Sequence, residues 1–327
     1  MGPTGFRRAP TVGAMADIAA VPLTPASPPH GTLARAERFV WLTARVLEQR
    51  LFAHHFRDGA PGPVETALEA HRNDDGGYGH GLEPALRGPV SLPAHTARAL
   101  DALDAVGRCD ARRAEDVCRF LTSVSTAEGA LPAVDAYANG GGAAARLPGS
   151  LSATAPVVGL LHRNEVWHPW LFRATDFCWQ AVESLEAARP GDVAASVLFL
   201  DHAPDRARAE TAAERLGRLV RRERLVVLNL KDPDDRPSAP APSGHAHGDR
   251  HFPHDYARTP DSPARAWFAD AEMDRSLDAL AAGQQDDGGW PARRLPGAQP
   301  TPAALLEARP IATIEALRTL GAYGRLV

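Results

Sequence analysis

Apolar residues recur along most of the chain at intervals of three and four positions. From Thr32 to His55 this spacing places apolar side chains on one face and charged side chains on the other, which is the period of an α-helix rather than a strand. The pattern returns nine times, separated by proline and glycine. The predicted helices cover residues 32–55, 62–72, 92–106, 110–124, 151–164, 168–187, 190–202, 205–224, 264–283 and 309–324. We therefore predict an all-α protein.

Neighbouring helical segments differ strongly in polarity. The segment from Asp192 to Leu200 is almost entirely apolar, whereas the segment from Arg206 to Arg224 carries charges on most of its sides. A helix that is apolar all round must be buried, and a highly charged helix needs contact with solvent. The alternation predicts inner and outer helices of a double ring.

A short acidic motif with two glycines occurs near both ends of the helical region. NDDGGYG, starting at Asn73, is matched by QDDGGWP, starting at Gln285, and the weaker copy STAEGALPA aligns Glu128 with Asp75 and Asp287. The offset from Asp75 to Glu128 is 53 residues, and the offset from Asp75 to Asp287 is 212 residues, four times as long. This spacing predicts a helical-hairpin repeat of about 50 residues.

The motif has the features of a tight turn that follows an outer helix. Glycines permit the sharp bend, the acidic side chain caps exposed backbone N–H groups, and the aromatic ring packs against neighbouring helices. Tyr78 and Trp290 are the aromatic residues of the two strong copies. Packing is the first role expected of them, and substrate binding at the mouth of the ring is the second.

The motifs resemble those of a known family. QQDDGGW at Gln284–Trp290 and DDGGYG at Asp74–Gly79 resemble the glutamine–tryptophan repeats of squalene-hopene cyclases and related prenyltransferase subunits, and the chain also resembles small actinobacterial squalene-oxidase-repeat proteins. The resemblance implies an α/α toroid, a ring of helical hairpins whose central cavity opens where loops lead into the inner helices. Toroids host several chemistries, so the site has to be argued from its own residues.

Two stretches do not share the helical pattern. Residues 1–31 are rich in proline and alanine without periodicity and are predicted to form a disordered extension. Residues 32–327 are predicted to form one toroid domain. A long excursion from the ring is predicted at about 225–262, because a short strand-like run, LVVLNL, is followed there by a sequence rich in proline and histidine.

Composition narrows the class of protein further. A chain of 327 residues that is 44% hydrophobic can bury one large core. The net charge of −4 is spread over interspersed acidic and basic residues, so no nucleic-acid partner is predicted. No apolar run is long enough to span a bilayer, no secretory signal is present, and the three cysteines show no CxxC spacing. These features predict a cytoplasmic protein that binds a small molecule.

The loop GYGHGLEPALRGP carries three polar side chains, His80, Glu83 and Arg87. Glu307 and Arg309 occupy the corresponding stage before the last helix. If the ring closes, we expect both groups in one pocket, where His80, Glu83 or Glu307 moves a proton and Arg87 or Arg309 holds an anionic part of the ligand. Local pairing and helix capping are the alternative roles of these charges.

Asp255 is a further candidate catalytic residue, because the segment that it begins is predicted to fold back over the mouth of the ring. The preceding residues 245–254 are rich in histidine, which suits zinc, but they match no fixed ligand motif and no cysteine lies near. No metal and no cofactor are therefore predicted.

A DPDD motif at Asp232–Asp235 resembles the acidic motif with which class II terpene cyclases protonate an alkene, and it would make Asp234 the acid. It is followed by RPSAPAP instead of an inner helix, which favours a solvated turn. Aromatic residues make up only 6% of the chain, few for a reaction that stabilises successive carbocations on aromatic faces.

Three functions compete at this point. The leading hypothesis is a terpenoid cyclase-like protein, a lyase or isomerase, that binds an isoprenoid or similar small ligand in the central cavity and starts cyclisation by acid–base chemistry. A second is a toroid that binds a ligand or partner without turnover. A third is a carbohydrate-active enzyme, which would need Glu83 and Glu307 about 5 to 10 Å apart across the cavity.

Overall fold

The computed structural model describes residues 31–133, 148–229, 250–292 and 301–326. Within these ranges the chain forms helices and no strand, apart from two isolated β-bridges and one 3₁₀ helix at Pro263–Trp267. The all-α prediction is confirmed. The helices are α1 (Thr32–Thr43), α2 (Val46–Phe56), α3 (Gly62–Glu69), α4 (Pro93–Ala105), α5 (Ala111–Val124), α6 (Leu151–Arg163), α7 (Pro169–Glu183), α8 (Pro190–Leu200), α9 (Arg206–Arg222), α10 (Pro253–Tyr256), α11 (Asp270–Ala282) and α12 (Pro302–Ala322).

The first predicted helix is in fact two helices, α1 and α2. The chain breaks at Ala44 and Arg45, which both have extended backbone angles. No glycine or proline stands there. The Arg45 guanidinium instead donates hydrogen bonds to the carbonyl oxygens of Gly81 and Leu82, at 2.9 Å and 3.1 Å. The break is therefore associated with a tertiary contact that the local pattern does not contain.

The last helix starts earlier than predicted. Thr301 caps α12 by accepting a hydrogen bond from the backbone N–H of Ala304, and the helix then continues through Pro310. Glu307 and Arg309 consequently lie within α12 and not in a loop before it.

The three copies of the turn motif have the same backbone geometry. In each copy the residue three positions before the first glycine donates its N–H to the carbonyl oxygen of the residue after that glycine, at 2.9–3.0 Å. The first glycines, Gly76, Gly129 and Gly288, have left-handed φ angles of 87°, 85° and 94°. The alignment of Gly129 with the glycines of the two strong copies is therefore confirmed.

A second hydrogen bond ties each turn to the inner helix that follows it. The N–H groups of Tyr78, Leu131 and Trp290 donate to the side-chain oxygens of Thr96, Thr154 and Thr313, at 3.2 Å, 2.8 Å and 2.9 Å respectively. All three threonines are fully buried. Each threonine hydroxyl in turn donates to the carbonyl oxygen four residues earlier in its helix, so the buried polar groups are satisfied.

Each turn packs against an outer helix of the next repeat. Gly76 lies against Asp116 in α5, Gly129 lies against Ala174 in α7, and Gly288 lies against Arg35 in α1. For the turn after α11, α1 therefore occupies the position of the outer helix of the next repeat. Contacts between α1 and α12 and between α2 and α12 join the same two ends.

Contacts between the remaining helices follow chain order. Helix α4 packs on α6, α6 on α8, α8 on α10, and α10 on α11. The remaining helices contact members of this series: α3 and α5 contact α4, α7 contacts α6 and α8, and α9 contacts α8. This is the order of contacts expected of a ring of hairpins. The almost wholly apolar α8 is buried along most of its length, and the charged α9 exposes one face.

Both ends of the predicted excursion are packed. Leu225, Val226 and Val227 are buried, and the N–H of Val227 donates to the carbonyl oxygen of His251 at 2.8 Å. Helix α10 contacts α8 and α11. These packed ends do not leave the helical core, and the rest of the predicted excursion, residues 230–249, lies outside the described residues.

Gly288→Ala should destabilise the fold strongly. Its φ of 94° is unfavourable for alanine, and a Cβ there would collide with the carbonyl group of Arg35. We expect a loss of about 2 to 4 kcal/mol in the free energy of unfolding, measured by chemical denaturation. Gly191→Ala is the matched control, since nothing lies within 4 Å of that position. Equal stability of the two variants would contradict this account of ring closure.

Trp290→Ala should cost about 3 to 5 kcal/mol, as expected for removal of a large buried aromatic side chain. The side chain is 3% exposed, and its indole N–H donates to the carbonyl oxygen of Leu280 at 2.7 Å. Trp167→Ala serves as the control, because Trp167 is 83% exposed and its loss should change stability by about 0.5 kcal/mol or less. An unchanged melting temperature for the Trp290 variant would show that its ring does not stabilise the core.

Candidate functional site

A cavity of about 220 Å³ opens between α4 and α6, below the loop that follows the first turn motif. Its walls are mainly apolar, and Glu83 and Arg98 are the charged side chains among them. Such a combination of apolar walls with a few polar groups is typical of small-molecule sites. The cavity is lined by Glu83, Leu86, Leu92, Pro93, Ala94, Ala97, Arg98, Pro132, Ser152, Ala153 and Pro156.

The loop that carries Glu83 is held at several points along its length. The N–H of Gly79 donates to the carbonyl oxygen of His71 at 2.8 Å, and the N–H of Leu92 donates to the carbonyl oxygen of Tyr78 at 3.0 Å. Between these points, Arg45 binds two loop carbonyl groups. Leu82 is completely buried. Glu83 is therefore presented by an anchored loop.

Glu83 is 7% exposed, and burial raises the pKa of its carboxyl group above the usual range. The positive charges of Arg98 and Arg45 and the N–H of Ala85 act in the opposite direction without cancelling the effect of burial. A buried carboxyl with a raised pKa retains its proton to higher pH than an exposed one. It can therefore donate that proton at a higher pH than an exposed carboxyl group can.

His95 positions the backbone of Glu83. The ring is fully buried, and its Nδ1 accepts a hydrogen bond of 2.8 Å from the N–H of Glu83. Burial, and then the charges of His71, Arg45 and His80, lower the pKa of His95 to about 4. The imidazole is thus neutral at pH 7, with its proton on Nε2. That Nε2 atom has no hydrogen-bond partner within the described chain.

Arg98 supplies the positive charge of the cavity. Its side chain is 11% exposed, and its Nη1 atom lies 3.4 Å from Oδ2 of Asp101 and 3.7 Å from Oε1 of Glu315. Burial lowers the pKa of Arg98, but four surrounding carboxylates, led by Asp101 and Glu315, raise it by more. The guanidinium is therefore charged.

Sequence reasoning missed both His95 and Arg98. A signal was present in SLPAHTARAL, where a histidine and an arginine interrupt the apolar pattern of a helix expected to face inward. Polar residues on an inner helix have to be paired or to face a cavity. The pattern did not show which helix would stand opposite them.

Arg87 and Glu307 lie together. Both terminal nitrogens of Arg87 contact the carboxylate of Glu307 in a two-pronged ion pair, and Arg45 Nη1 lies 3.5 Å from Oε1 of Glu307. The first and last repeats therefore meet here, as ring closure predicted. Neither Arg87 nor Glu307 lines the cavity beside Glu83, and each largely neutralises the charge of the other.

Arg309 forms an ion pair with Asp287 and does not lie at the cavity beside Glu83. Its guanidinium makes two hydrogen bonds of 2.7 Å to the carboxylate of Asp287 and lies 4.6 Å above the ring of Phe39. These hydrogen bonds hold the pKa of Asp287 below its usual range. Arg309 does not line the cavity, so its position gives no support to the predicted shared pocket with Glu83 or to a role in anion binding.

The other predicted site residues either pack in the core or make hydrogen bonds within the fold. The side chains of Tyr78 and Trp290 lie in the core, 2% and 3% exposed, and neither lines the cavity. His80 is exposed, with a left-handed φ of 53°, and its Nε2 lies 3.0 Å from Oδ1 of Asn73. Asp255 caps α10 by accepting the N–H of Phe252 at 2.8 Å. Their roles in substrate binding and catalysis stay predictions without support from these positions.

Several predicted features fall outside the described residues, namely the DPDD motif at 232–235 and the histidines at 245 and 247. Within the described ranges, no cluster of three or more His, Cys, Asp or Glu side chains has a geometry that could hold a metal ion. In those same ranges, no helix combines the length and the apolar character needed to cross a membrane.

Glu83→Gln should leave the protein at least as stable as the wild type at pH 7 and above. Because the folded-state pKa of Glu83 is raised, the folded protein binds the proton more tightly than the unfolded chain. The stability of the wild type therefore falls as pH rises from the unfolded pKa through the folded one. Thermal melts across pH 4 to 8 should show a smaller decline for the variant. Glu210→Gln, on the exposed face of α9, should follow the wild type, and parallel curves for all three proteins would refute the raised pKa.

Comparison with known proteins identifies a similar fold but no family. No family model matches the chain, and no curated protein matches it. A crystal structure of a protein from Actinoplanes has a TM-score of 0.53 and 16% sequence identity, over 89% of this chain and 98% of that one. At this identity the likeness concerns the fold alone.

Proposed function

We propose that this protein is an enzyme that binds a small, largely apolar ligand in the cavity between α4 and α6 and protonates it from Glu83. The observation that carries the proposal is a carboxyl group that is 7% exposed in a mainly apolar cavity and whose pKa is raised by burial. A group with these properties is suited to general acid catalysis.

The cavity limits the size of the ligand. Its volume of about 220 Å³ is below the range of about 300 to 1,000 Å³ that is usual for drug-sized ligands. Among isoprenoids, it suits a short prenyl chain and not a long polyene. We therefore retain the terpenoid cyclase-like hypothesis only in a reduced form, as protonation of one double bond in a short branched chain.

The side chains that line the cavity also favour a small ligand and a short reaction. Among the described residues that line the cavity, no side chain is aromatic. Aromatic faces stabilise carbocations through cation–π contacts, and without them a series of cationic intermediates would have little stabilisation. A smaller demand on the walls is made when Glu83 protonates one carbon of the double bond and its carboxylate then takes a proton from the carbon next to the cationic centre, which forms the shifted double bond and restores the acid. This favours isomerisation over multi-ring cyclisation.

The carbohydrate-active alternative has less support. A glycosidase needs two carboxyl groups that flank the scissile bond, but Glu307 is ion-paired with Arg87 and Arg45 and does not line the cavity. Within the described part of the lining, Ser152 is the one polar side chain besides Glu83 and Arg98. Sugar hydroxyls would find few partners there.

The test measures proton transfer directly. The purified protein is incubated with short prenyl alcohols in deuterium oxide, and deuterium on carbon is quantified by mass spectrometry. We expect incorporation by the wild type, a loss of about 100-fold or more in Glu83→Gln, and no change in Glu210→Gln. The rate should fall as pH rises through the raised pKa of Glu83, because the acid must be protonated.

Two outcomes would contradict the proposal. An unchanged rate in Glu83→Gln would exclude Glu83 as the proton donor. Retention of a prenyl alcohol in native mass spectrometry, without any deuterium incorporation, would indicate a toroid that binds its ligand without turnover.

A further inference from the structure

We propose that the ligand of the cavity carries a carboxylate and that Arg98 is the residue that binds it. The inference rests on the cavity of the proposed function, but it concerns recognition and not proton transfer. It is drawn from the way in which Arg98 is paired, and it assigns the binding of an anionic group to Arg98 and not to Arg87 or Arg309.

Arg98 makes fewer and longer hydrogen bonds than a buried guanidinium usually makes. A guanidinium has five N–H donors, yet the carboxylate contacts of Arg98 within the described residues both come from Nη1, at 3.4 Å and 3.7 Å. Its Nε has no hydrogen-bond partner there. Charge-assisted N–H···O bonds are normally about 2.7 to 2.9 Å long. A buried charge with contacts this loose is costly, and an additional acceptor would reduce the cost.

Other arginines around the loop differ in this respect. Arg45 binds Glu48 with two hydrogen bonds of 3.0 Å and 2.6 Å, Arg87 binds Glu307 through both terminal nitrogens, and Arg309 binds Asp287 with two bonds of 2.7 Å. Each has a carboxylate in the two-pronged geometry that a guanidinium prefers. Arg98 has no such partner within the described chain, and it lines the cavity, whereas Arg45, Arg87 and Arg309 do not.

A carboxylate fits this position better than a phosphate. It is planar, matches the guanidinium fork, and carries one negative charge. A phosphate would bring up to two charges close to the carboxylates that already surround Arg98, those of Asp101, Glu315 and Glu48. The mainly apolar walls then suit a short hydrocarbon chain attached to the carboxylate.

Glu83 couples the binding of such a ligand to protons. The charged and titratable groups facing Glu83 are Arg98 and, through the backbone, His95 from α4, Arg45 from α2, and Glu315 from α12. From α6 the lining residues Ser152, Ala153 and Pro156 bring no titratable group. A ligand carboxylate beside Glu83 would favour its protonated form, which can then donate a hydrogen bond to the ligand. Binding should therefore take up a proton and tighten as pH falls.

The experiment uses three probes of nearly equal shape, hexanoate, hexanamide and hexanol, with the full chain in isothermal titration calorimetry. We expect hexanoate to bind most tightly. Arg98→Gln should weaken hexanoate binding by about 10- to 100-fold and change binding of the amide and the alcohol by about threefold or less. Arg98→Lys, which keeps the charge but loses the fork, should give an intermediate loss. Arg218→Gln, at an exposed position of α9, is the control and should not differ from the wild type.

Proton uptake gives a second, independent readout. Titrations of hexanoate in buffers of different ionisation enthalpy should show that a proton is taken up, and Glu83→Gln should abolish this uptake. If Arg98→Gln does not fold, as judged by circular dichroism, the comparison of hexanoate with hexanol in the wild type and in Arg98→Lys still decides the matter. Equal affinity for hexanoate and hexanol would overturn the inference, as would tighter binding of inorganic phosphate.

Failure of this inference can be distinguished from failure of the proposed function. If prenyl alcohols bind and take up deuterium through Glu83 while hexanoate does not bind, recognition by Arg98 is refuted and proton transfer stands. If no probe binds, and chemical shifts of the cavity methyl groups of Leu86 and Leu92 do not respond, both are refuted.

Discussion

The structure depends on the close contact between a glycine turn and the backbone of an outer helix of the next repeat. A left-handed glycine allows the turn to approach that helix without a side chain between them. The same turn is tied to its inner helix by a buried threonine hydroxyl. Each glycine turn thus joins an inner helix to an outer helix, and one repeat to the next. Because the turn after α11 packs against α1, the last repeat is joined to the first.

Ring closure also determines where charges meet. Glu307 and Arg87 come from opposite ends of the chain and form an ion pair, and Glu315 of α12 approaches Arg98 of α4. Charged side chains on inner helices are tolerated because helices distant in sequence supply the opposite charge. Around the cavity this compensation is incomplete. Glu83 lies in apolar surroundings and Arg98 has only long contacts to carboxylates, and those two departures from full pairing are what suggest a site.

In the proposed function, Glu83, His95 and Arg98 have separate roles. His95 holds the backbone of Glu83, Glu83 would donate the proton, and Arg98 would bind the anionic end of the ligand. The burial that raises the pKa of Glu83 also makes unpaired donors of Arg98 costly. An anionic ligand would relieve that cost and favour the protonated acid at the same time. Recognition and acid chemistry would then be linked through one low-dielectric cavity.

Local periodicity and backbone requirements are enough to predict the all-α class, the positions of most helices, the repeat of the glycine turn and the polarity of α8 and α9. The same patterns also point to the loop with Glu83. Three features could not be predicted in this way: the break at Ala44 and Arg45, the pairing of Arg309 with Asp287, and the position of His95 and Arg98 beside Glu83. These outcomes depend on which helices face one another, and a pattern along one segment contains no information about the side chains that another segment will bring to it.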